Sequence, residues 1–440
     1  MNDSFDFQPT LVVVVAVFAA LLHGGVSSAS AELPGNRQFG TILNNDATNI
    51  MYAGTGEDMT PDEYRNGVHR LLDAKPGVLA QSIGQPDPVF YRSKVATRWD
   101  KYWGYIDPET GDEMGVHATN IAAPAVRALA AQGTDPLALT VEVCRQRGVP
   151  IVASFRMNGE DMATRTLHTY DFGRENMNLR IEGRHCLDPA HPKVYEHRMK
   201  IFTEVVENYD IDGIEFDYKR THYMISNPRK NHVILTRMVR ETRQMLDEVA
   251  KRKGRKRLLL GVRVEPMVAG LLNKADFPGA NGQPNNRSCE ATGLDIRTWI
   301  DEGLVDYVCP SHFWPQWPGL PRTSEFVELA RGKDIGIYPT VWPQPAWLSD
   351  KEPIEADDTD RMRRYKKDLC DLVLTCYRDG ADGISTYNWL PHHQRGMVPN
   401  PSRAYWGDGN KGLQMYIHGL MSDAAAVAAY RNSDAILPGT

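Results

Sequence analysis

The chain predicts an α/β fold, a (β/α)8 TIM barrel in one domain with long loops after its strands. Three observations lead there. Short apolar segments recur eight times, amphipathic helical segments fill the gaps between them, and the long polar inserts follow the apolar segments. Strand-helix alternation can also build a doubly wound open sheet, but eight repeats is the number that closes a ring.

The first element is not part of the barrel. Residues 11–22 are continuously apolar and lead to Ala29-Ser30-Ala31 before Glu32, the pattern of a signal peptide cleaved after Ala31. Secreted or periplasmic localisation and a mature domain over 32–440 are expected, although the leader carries Asp3 and Asp6 and no basic residue ahead of its apolar run. That run is shorter than the roughly 20 residues a membrane-spanning helix needs, so stable membrane insertion is not expected.

Strands are predicted at 40–46, 77–83, 149–158, 211–217, 257–265, 304–312, 335–342 and 381–389. Helices are predicted at 61–72, 135–147, 193–209, 231–253, 296–302, 324–331 and 359–378, with one closing helix near 422–430. Local chemistry supports the boundaries. Thr60-Pro61-Asp62-Glu63, and Asp188-Pro189 followed by Pro192, read as capped helix starts, while Gly148 and Gly254 suit left-handed helix ends. Long connections at 156–184, 265–296 and 389–413 follow strands, on the face where a barrel carries its chemistry.

Composition excludes several classes of function. The net charge is −6, with both signs mixed along the chain, so no basic footprint for nucleic acid is present. The six cysteines are scattered without CxxC pairs, which argues against structural zinc; Cys144 and Cys309 lie in apolar stretches as core residues would. In an exported chain some of the others could pair. No cofactor is implied, and a metal held by His392-His393 with an acid lacks supporting spacing.

The chemistry concentrates on the fourth and fifth strands. In IDGIEFDY, side chains alternate, so Gly213, Glu215 and Asp217 share one face and Ile214 and Phe216 the other. In GVRVEP, Gly261, Arg263 and Glu265 share a face in the same way. Unpaired acids are costly to bury, so an acidic inner face ending at a strand exit reads as a site. Inward carboxyls on adjacent strand ends could stand about 5–5.5 Å apart, the separation that a retaining glycosidase uses for a nucleophile, Asp217, and an acid/base, Glu265. The alternative is that Glu265 serves only as an ion-pair partner of Arg263 or Arg156.

Around that pair the sequence offers sugar-binding groups. Trp314, Trp342, Tyr387 and Trp389 fall at the exits of strands six to eight, where flat amphipathic rings could stack on sugar faces. Trp317 and Trp347 lie nearby. Asn45, Arg156, Asn158, His185, Glu215, His222, Arg263 and His312 complete the expected substrate-binding set. Further polar residues around the same face are Ser154, His168, Arg184, Lys219, Arg220 and Asn388. The cations among these groups could bind anionic sugar substituents or neutralise acids within the site.

DPLALTVEVCRQRGVPIVASFRMN and CLDPAHPKVYEHRMKIFTEVVENYDIDGIEFDY resemble a glycosyl-hydrolase-like barrel family, typified by DP…A…RG…A…N and LDP…P…V…YDVDGIHFDDY segments. The resemblance covers about 135–217. The layout is also similar to the alpha-amylase-type clan, which implies a strand-four Asp nucleophile and a strand-five Glu acid/base, carried here by Asp217 and Glu265. This chain departs from the motif at Tyr218, where the family has a second acid, and at Glu215, where it has His. A further similarity, to barrel enzymes that cut sulfated fucans, implies an acidic or sulfated algal polysaccharide as substrate. The expectation is an exported retaining glycoside hydrolase acting on a polysaccharide or oligosaccharide. A carbohydrate-binding barrel without turnover and a metal-dependent hydrolase on the same fold are the alternatives.

Overall fold

All eight apolar segments form strands, and the seventh does so in two pieces. In a computed structural model, residues 33–437 are described except for 52–58, 103–104, 107–112, 115–121, 158–169, 185, 220–222, 271–287, 313–319, 344–346, 348–353, 356 and 388–407. The strands are β1 (Thr41–Asn45), β2 (Val78–Ser82), β3 (Ile151–Arg156), β4 (Gly213–Asp217), β5 (Leu259–Val264), β6 (Tyr307–Pro310), β7 (Gly336–Ile337), β8 (Thr340–Val341) and β9 (Ile384–Tyr387). They form one parallel sheet in the order β8-β9-β1-β2-β3-β4-β5-β6-β7. Its two end members are parts of one segment, separated only by Tyr338-Pro339. The Tyr338 amide donates to Val308 O at 2.9 Å and Pro339 O accepts from the Ser385 amide at 3.0 Å. One segment therefore joins β6 to β9, and the sheet closes into a ring. Pro339, which has no N–H to donate, sits where the pairing changes sides. A short antiparallel pair, Tyr105–Ile106 with Glu113–Met114, decorates the connection after β2.

The alternation of side chains separates two cores. Phe39, Ile42, Val78, Ala80, Val152, Leu259, Tyr307, Cys309 and Tyr338 fill the barrel interior, while Leu43, Leu79, Phe155, Ile214, Phe216, Leu260 and Val262 pack outward against the helices. Register then fixes what lies above the inner apolar plug. Ser154 pairs level with Glu215 and Glu215 with Gly261; Arg156 pairs level with Asp217 and Asp217 with Arg263. Gly261 has a steric reason to be glycine, since a Cβ there would come within 1.9 Å of the Tyr307 ring. The ring occupies that space and reaches Glu215.

The base of the barrel is stitched by aspartates just ahead of strands. Asp212, before β4, accepts from the Ile151 amide; Asp306, before β6, from the Leu260 amide; and Asp382, before β9, from the Ile337 amide. Each also meets arginine: Arg145 and Arg255 at Asp212, Arg243 and Arg257 at Asp306, Arg37 at Asp382.

Several local expectations hold and some change. Pro61–Leu72 starts with a full capping box between Thr60 and Glu63, and Gly148 and Gly254 both have a φ of 65°. Asp188 is not a helix cap: the helix is Pro192–Asn208 with His191 at its cap, and Asp188 Oδ1 instead accepts from the amides of Ala190 and Ser226. The C-terminal region holds two helices rather than one, Asp408–Leu420 and Ala424–Asn432, so the connection after β9 ends earlier than expected. All six cysteines are buried, and Cys144, Cys289, Cys309, Cys370 and Cys376 are free thiols. No helix among the described residues is long and apolar enough to cross a membrane.

Candidate active site

Glu215 forms the floor of the site. It is fully buried and accepts from Asn44 Nδ2 at 2.6 Å, Ser154 Oγ at 2.8 Å and Tyr307 OH at 3.0 Å. Burial and then the nearby charge of Asp217 raise its carboxyl from 4.5 to about 7, against the downward pull of the Ser154 and Tyr307 hydrogen bonds and of Arg263.

One pleat higher, two carboxylates are held in a reciprocal arrangement across β4 and β5. Asp217 ends β4 and receives both hydrogen bonds of Arg263 Nη1 from β5, at 3.1 and 2.9 Å. Glu265 follows β5 and pairs with the Lys219 ammonium, which follows β4. The Lys219 amide also donates to Asp217 Oδ1 at 2.8 Å. Both pairs are buried, with side-chain exposures of 1% and 3% for Arg263 and Asp217 and of 1% and 0% for Lys219 and Glu265. Arg263 is further fixed by Ser311 Oγ at 2.9 Å and by the Tyr387 ring, 4.1 Å from its guanidinium carbon. Burial lowers the Lys219 pKa, and Arg263 adds to that, while Glu265 opposes it.

A third cluster closes the ring of the site. Arg156, at the end of β3, meets Asp46 after β1 and donates to Tyr387 OH at 3.1 Å, and Tyr387 OH donates to Asp46 Oδ1 at 3.1 Å. Trp342, half-buried, lies against the Tyr387 ring at 5.0 Å. The described cations of the mouth, Arg156, Lys219 and Arg263, thus each face a carboxylate. His312 follows β6 in the same buried region, where burial lowers its pKa from 6.5 to about 4 and keeps it neutral at pH 7.

Of the residues expected from sequence, Asp217, Glu265, Glu215, Arg156, Arg263, His312, Trp342 and Tyr387 gather around this mouth. Asn45 does not join them. Its side chain bonds Gln81 and Asn49, and the neighbouring Asn44, on the inward phase of β1, is the one that reaches Glu215. Trp347 is bound outward, to Asp368 and beneath Arg364 of helix Thr359–Arg378. Arg184 lies over the Tyr223 ring. Asn158, His168, His185, Arg220, His222, Trp314, Trp317, Asn388, Trp389, His392 and His393 lie outside the described residues. Sequence reasoning missed Asn44, Tyr307, Ser311 and Asp46. The glycine at 261 was the available signal for Tyr307, because a glycine on an inward phase leaves room for a neighbour's ring.

Among the described residues no three His, Cys, Asp or Glu side chains cluster as metal ligands would. What the arrangement offers is carboxyl chemistry: one carboxyl near neutral pKa below two carboxylates set at adjacent strand exits.

A closed parallel barrel with paired acids at its C-terminal mouth has the architecture of many hydrolases, and the sequence comparisons narrow it. Residues 123–255 match the family model described as glycosyl hydrolase-like 10, a span that contains β3, β4 and Asp217. The chain is 25% identical over 211 residues to glycosyl hydrolase DigH of Escherichia coli K12, and equally to that of Shigella flexneri, covering 42% of this chain and 47% of each relative. It therefore spans about half the length of the curated relatives it matches. Similar solved structures include the endo-1,4-beta-mannanase from Rhizomucor miehei, at 8% identity and TM-score 0.45, covering 88% of this chain and 94% of that one. Another is the noncanonic maltogenic alpha-amylase AmyB from Thermotoga neapolitana, at 10% identity and TM-score 0.42, covering 92% and 79%. The resemblance read from the DP…RG and YDIDGIEFDY segments is borne out as a glycosyl hydrolase-like segment in this chain.

Proposed function

We propose that the protein is an exported retaining glycoside hydrolase of polysaccharides or oligosaccharides, with Asp217 as nucleophile and Glu265 as general acid/base. The observation that carries this is the reciprocal pairing: two carboxylates at adjacent strand exits, each held by a cation from the other's strand. In the first step Asp217 attacks the anomeric carbon while Glu265 protonates the departing oxygen; in the second, Glu265 deprotonates the water that releases the sugar. Arg263 aims Asp217 through two hydrogen bonds, and the Trp342 and Tyr387 rings supply the stacking surface. Export rests on the apolar 11–22 run and the Ala29-Ser30-Ala31 site.

The decisive experiment incubates the chain from Glu32 onward with neutral, uronate-bearing and sulfated polysaccharides, sulfated fucan among them, and reads release of reducing ends. Asp217→Ala should abolish turnover on every substrate. Glu265→Ala should retain activity on aryl glycosides with good leaving groups and recover with azide. Proton NMR of the first product should show a retained anomer; an inverted one would refute the mechanism and imply carboxyls about 6.5–9.5 Å apart. A second reading, a saccharide-binding barrel without turnover, is favoured by the complete burial of Glu265. It is the outcome if a polysaccharide binds but no reducing ends appear, and a chelator control separates a metal-dependent hydrolase.

A further inference from the structure

Lys219 touches both carboxylates of the proposed mechanism, through its amide to Asp217 and its ammonium to Glu265, and the mechanism above gives it no part. Its position makes a chemical demand. An ionised Glu265 bonded to an ammonium is the correct form to deprotonate water in the second step and the wrong form to protonate a leaving group in the first. We propose that Lys219 is a positioning residue that stores the acid/base proton of Glu265, lending it for the first step and taking it back after the second. This rests on the retaining mechanism.

The groups facing Lys219 leave Glu265 as its exchange partner. They are Asp217 on its own segment, Arg263 and Glu265 from β5, Cys289 from helix Cys289–Thr292, and His312 after β6. Arg263 keeps its charge; the Cys289 thiol, pushed up by burial, and the His312 ring are neutral at pH 7. When a saccharide fills the mouth and removes water, the proton passes from Lys219 Nζ to Glu265 Oε2. A buried pair of amine and carboxylic acid then replaces a buried pair of ions. Glu265 gives that proton to the leaving oxygen, which keeps the electron pair of the broken C–O bond, while an Asp217 oxygen bonds to the anomeric carbon. Water then attacks that carbon, the bond to Asp217 breaks and restores its carboxylate, and the proton lost by water returns through Glu265 to Lys219. The summed charge of Asp217, Lys219 and Glu265 is the same before, between and after the two steps.

The test compares Lys219→Arg and Lys219→Met with wild type on 2,4-dinitrophenyl glycosides and on whichever polysaccharide wild type cleaves, after melting curves establish folding. Arginine cannot release its proton at working pH. Lys219→Arg should therefore lose about 10²–10⁴-fold of kcat/KM on the polysaccharide, the worth of general acid catalysis, and little on the dinitrophenyl glycoside, whose leaving group needs no proton. Lys219→Met should move the basic limb of the polysaccharide pH profile downward, because the limb then follows the Glu265 carboxyl itself rather than the ammonium that stores its proton; an upward move would mark Lys219 as a neighbouring charge only and overturn the proposal. Equal losses on both substrates with an unmoved pH limb would reduce Lys219 to a structural tie while Asp217→Ala and Glu265→Ala still behaved as a nucleophile and an acid/base should. Failure of those two variants would instead remove the mechanism itself. A measurement without substitutions serves if neither variant folds: wild type with ¹⁵N-labelled lysine, saturated with a non-hydrolysable thio-linked analogue of the polysaccharide it cleaves, should show one side-chain nitrogen shifted to the neutral-amine position, and an all-ammonium spectrum would overturn the proposal.

Discussion

Glu215 is an acid whose ordinary behaviour is changed by its place at the floor of the site. Its carboxyl titrates near 7 in the fold and near 4.5 when unfolded. The native state therefore holds a proton that the unfolded state has released between those values, so stability is full below about pH 4.5 and lost as pH rises through about 7. Glu215→Gln keeps the shape, can accept from Asn44 and Ser154, and can donate to Tyr307, without the titration. Relative to wild type its melting temperature should rise on going from pH 5 to pH 8; a difference independent of pH would show that Glu215 does not titrate in this range. Asp217 sits one pleat above, bound twice by Arg263. Hydroxyls and an amide suit either protonation state of Glu215.

At the scale of elements, the aspartates ahead of β4, β6 and β9 perform one task three times. Each ties the amide of an earlier strand to one or two arginines beneath the barrel. Asp306 is fully buried and bonds Arg243, Arg257 and the Leu260 amide. Removing it strands buried donors, and Asp306→Ala should cost about 3–5 kcal/mol in urea unfolding. Asp360→Ala serves as the contrast. Its side chain is 97% exposed and its ion pair with Arg363 is 3.7 Å long, so a change below about 0.5 kcal/mol is expected. Comparable losses at the two positions would contradict the burial argument.

What the sequence made legible divides along the same lines. Strands with strict alternation and a glycine on the inward phase, IDGIEFDY and GVRVEP, revealed both their faces and their acids. Asn44-Asn45 did not, because two adjacent asparagines carry no phase; only pairing with β2 and β9 decides which one enters the barrel. The helix Asp408–Leu420 was hidden by Gly409, Gly412 and Gly419, which depress helix propensity, although Leu413, Ile417 and Met421 recur every four residues and are buried. Lys219 was visible as a cation near the site, but its bond to Glu265 depends on cross-strand register, which no single strand encodes.

On the scale of the whole molecule, that late helix fastens the place where the chain's two ends meet in the ring. His418 bonds Ala74 O at 2.9 Å before β2 and Thr386 Oγ1 at 3.0 Å on β9. Burial lowers its pKa from 6.5 to about 4. A depressed histidine is fully stabilising above about pH 6.5 and loses that contribution as pH falls through about 4, because the unfolded chain takes up the proton first. His418→Phe should be less stable than wild type by about 1–3 kcal/mol at pH 7, since it leaves two buried partners unmet. The gap should narrow as pH drops toward 4.5, and a gap of constant size would show that His418 is not the acid-sensitive contact.

The split seventh strand gives the ring an unequal circumference. Elsewhere each stave is held by four or five paired residues per side, but β7 offers two to β6 and β8 two to β9. A closed hoop loosens first at its thinnest joint, so amide hydrogen exchange at Ile337, Tyr338 and Ser385 should outpace that at Phe216 and Val262. The same joint marks where two separately expressed pieces of the chain, cut before Gly336, would have the fewest bonds to remake in reassembling a working hoop.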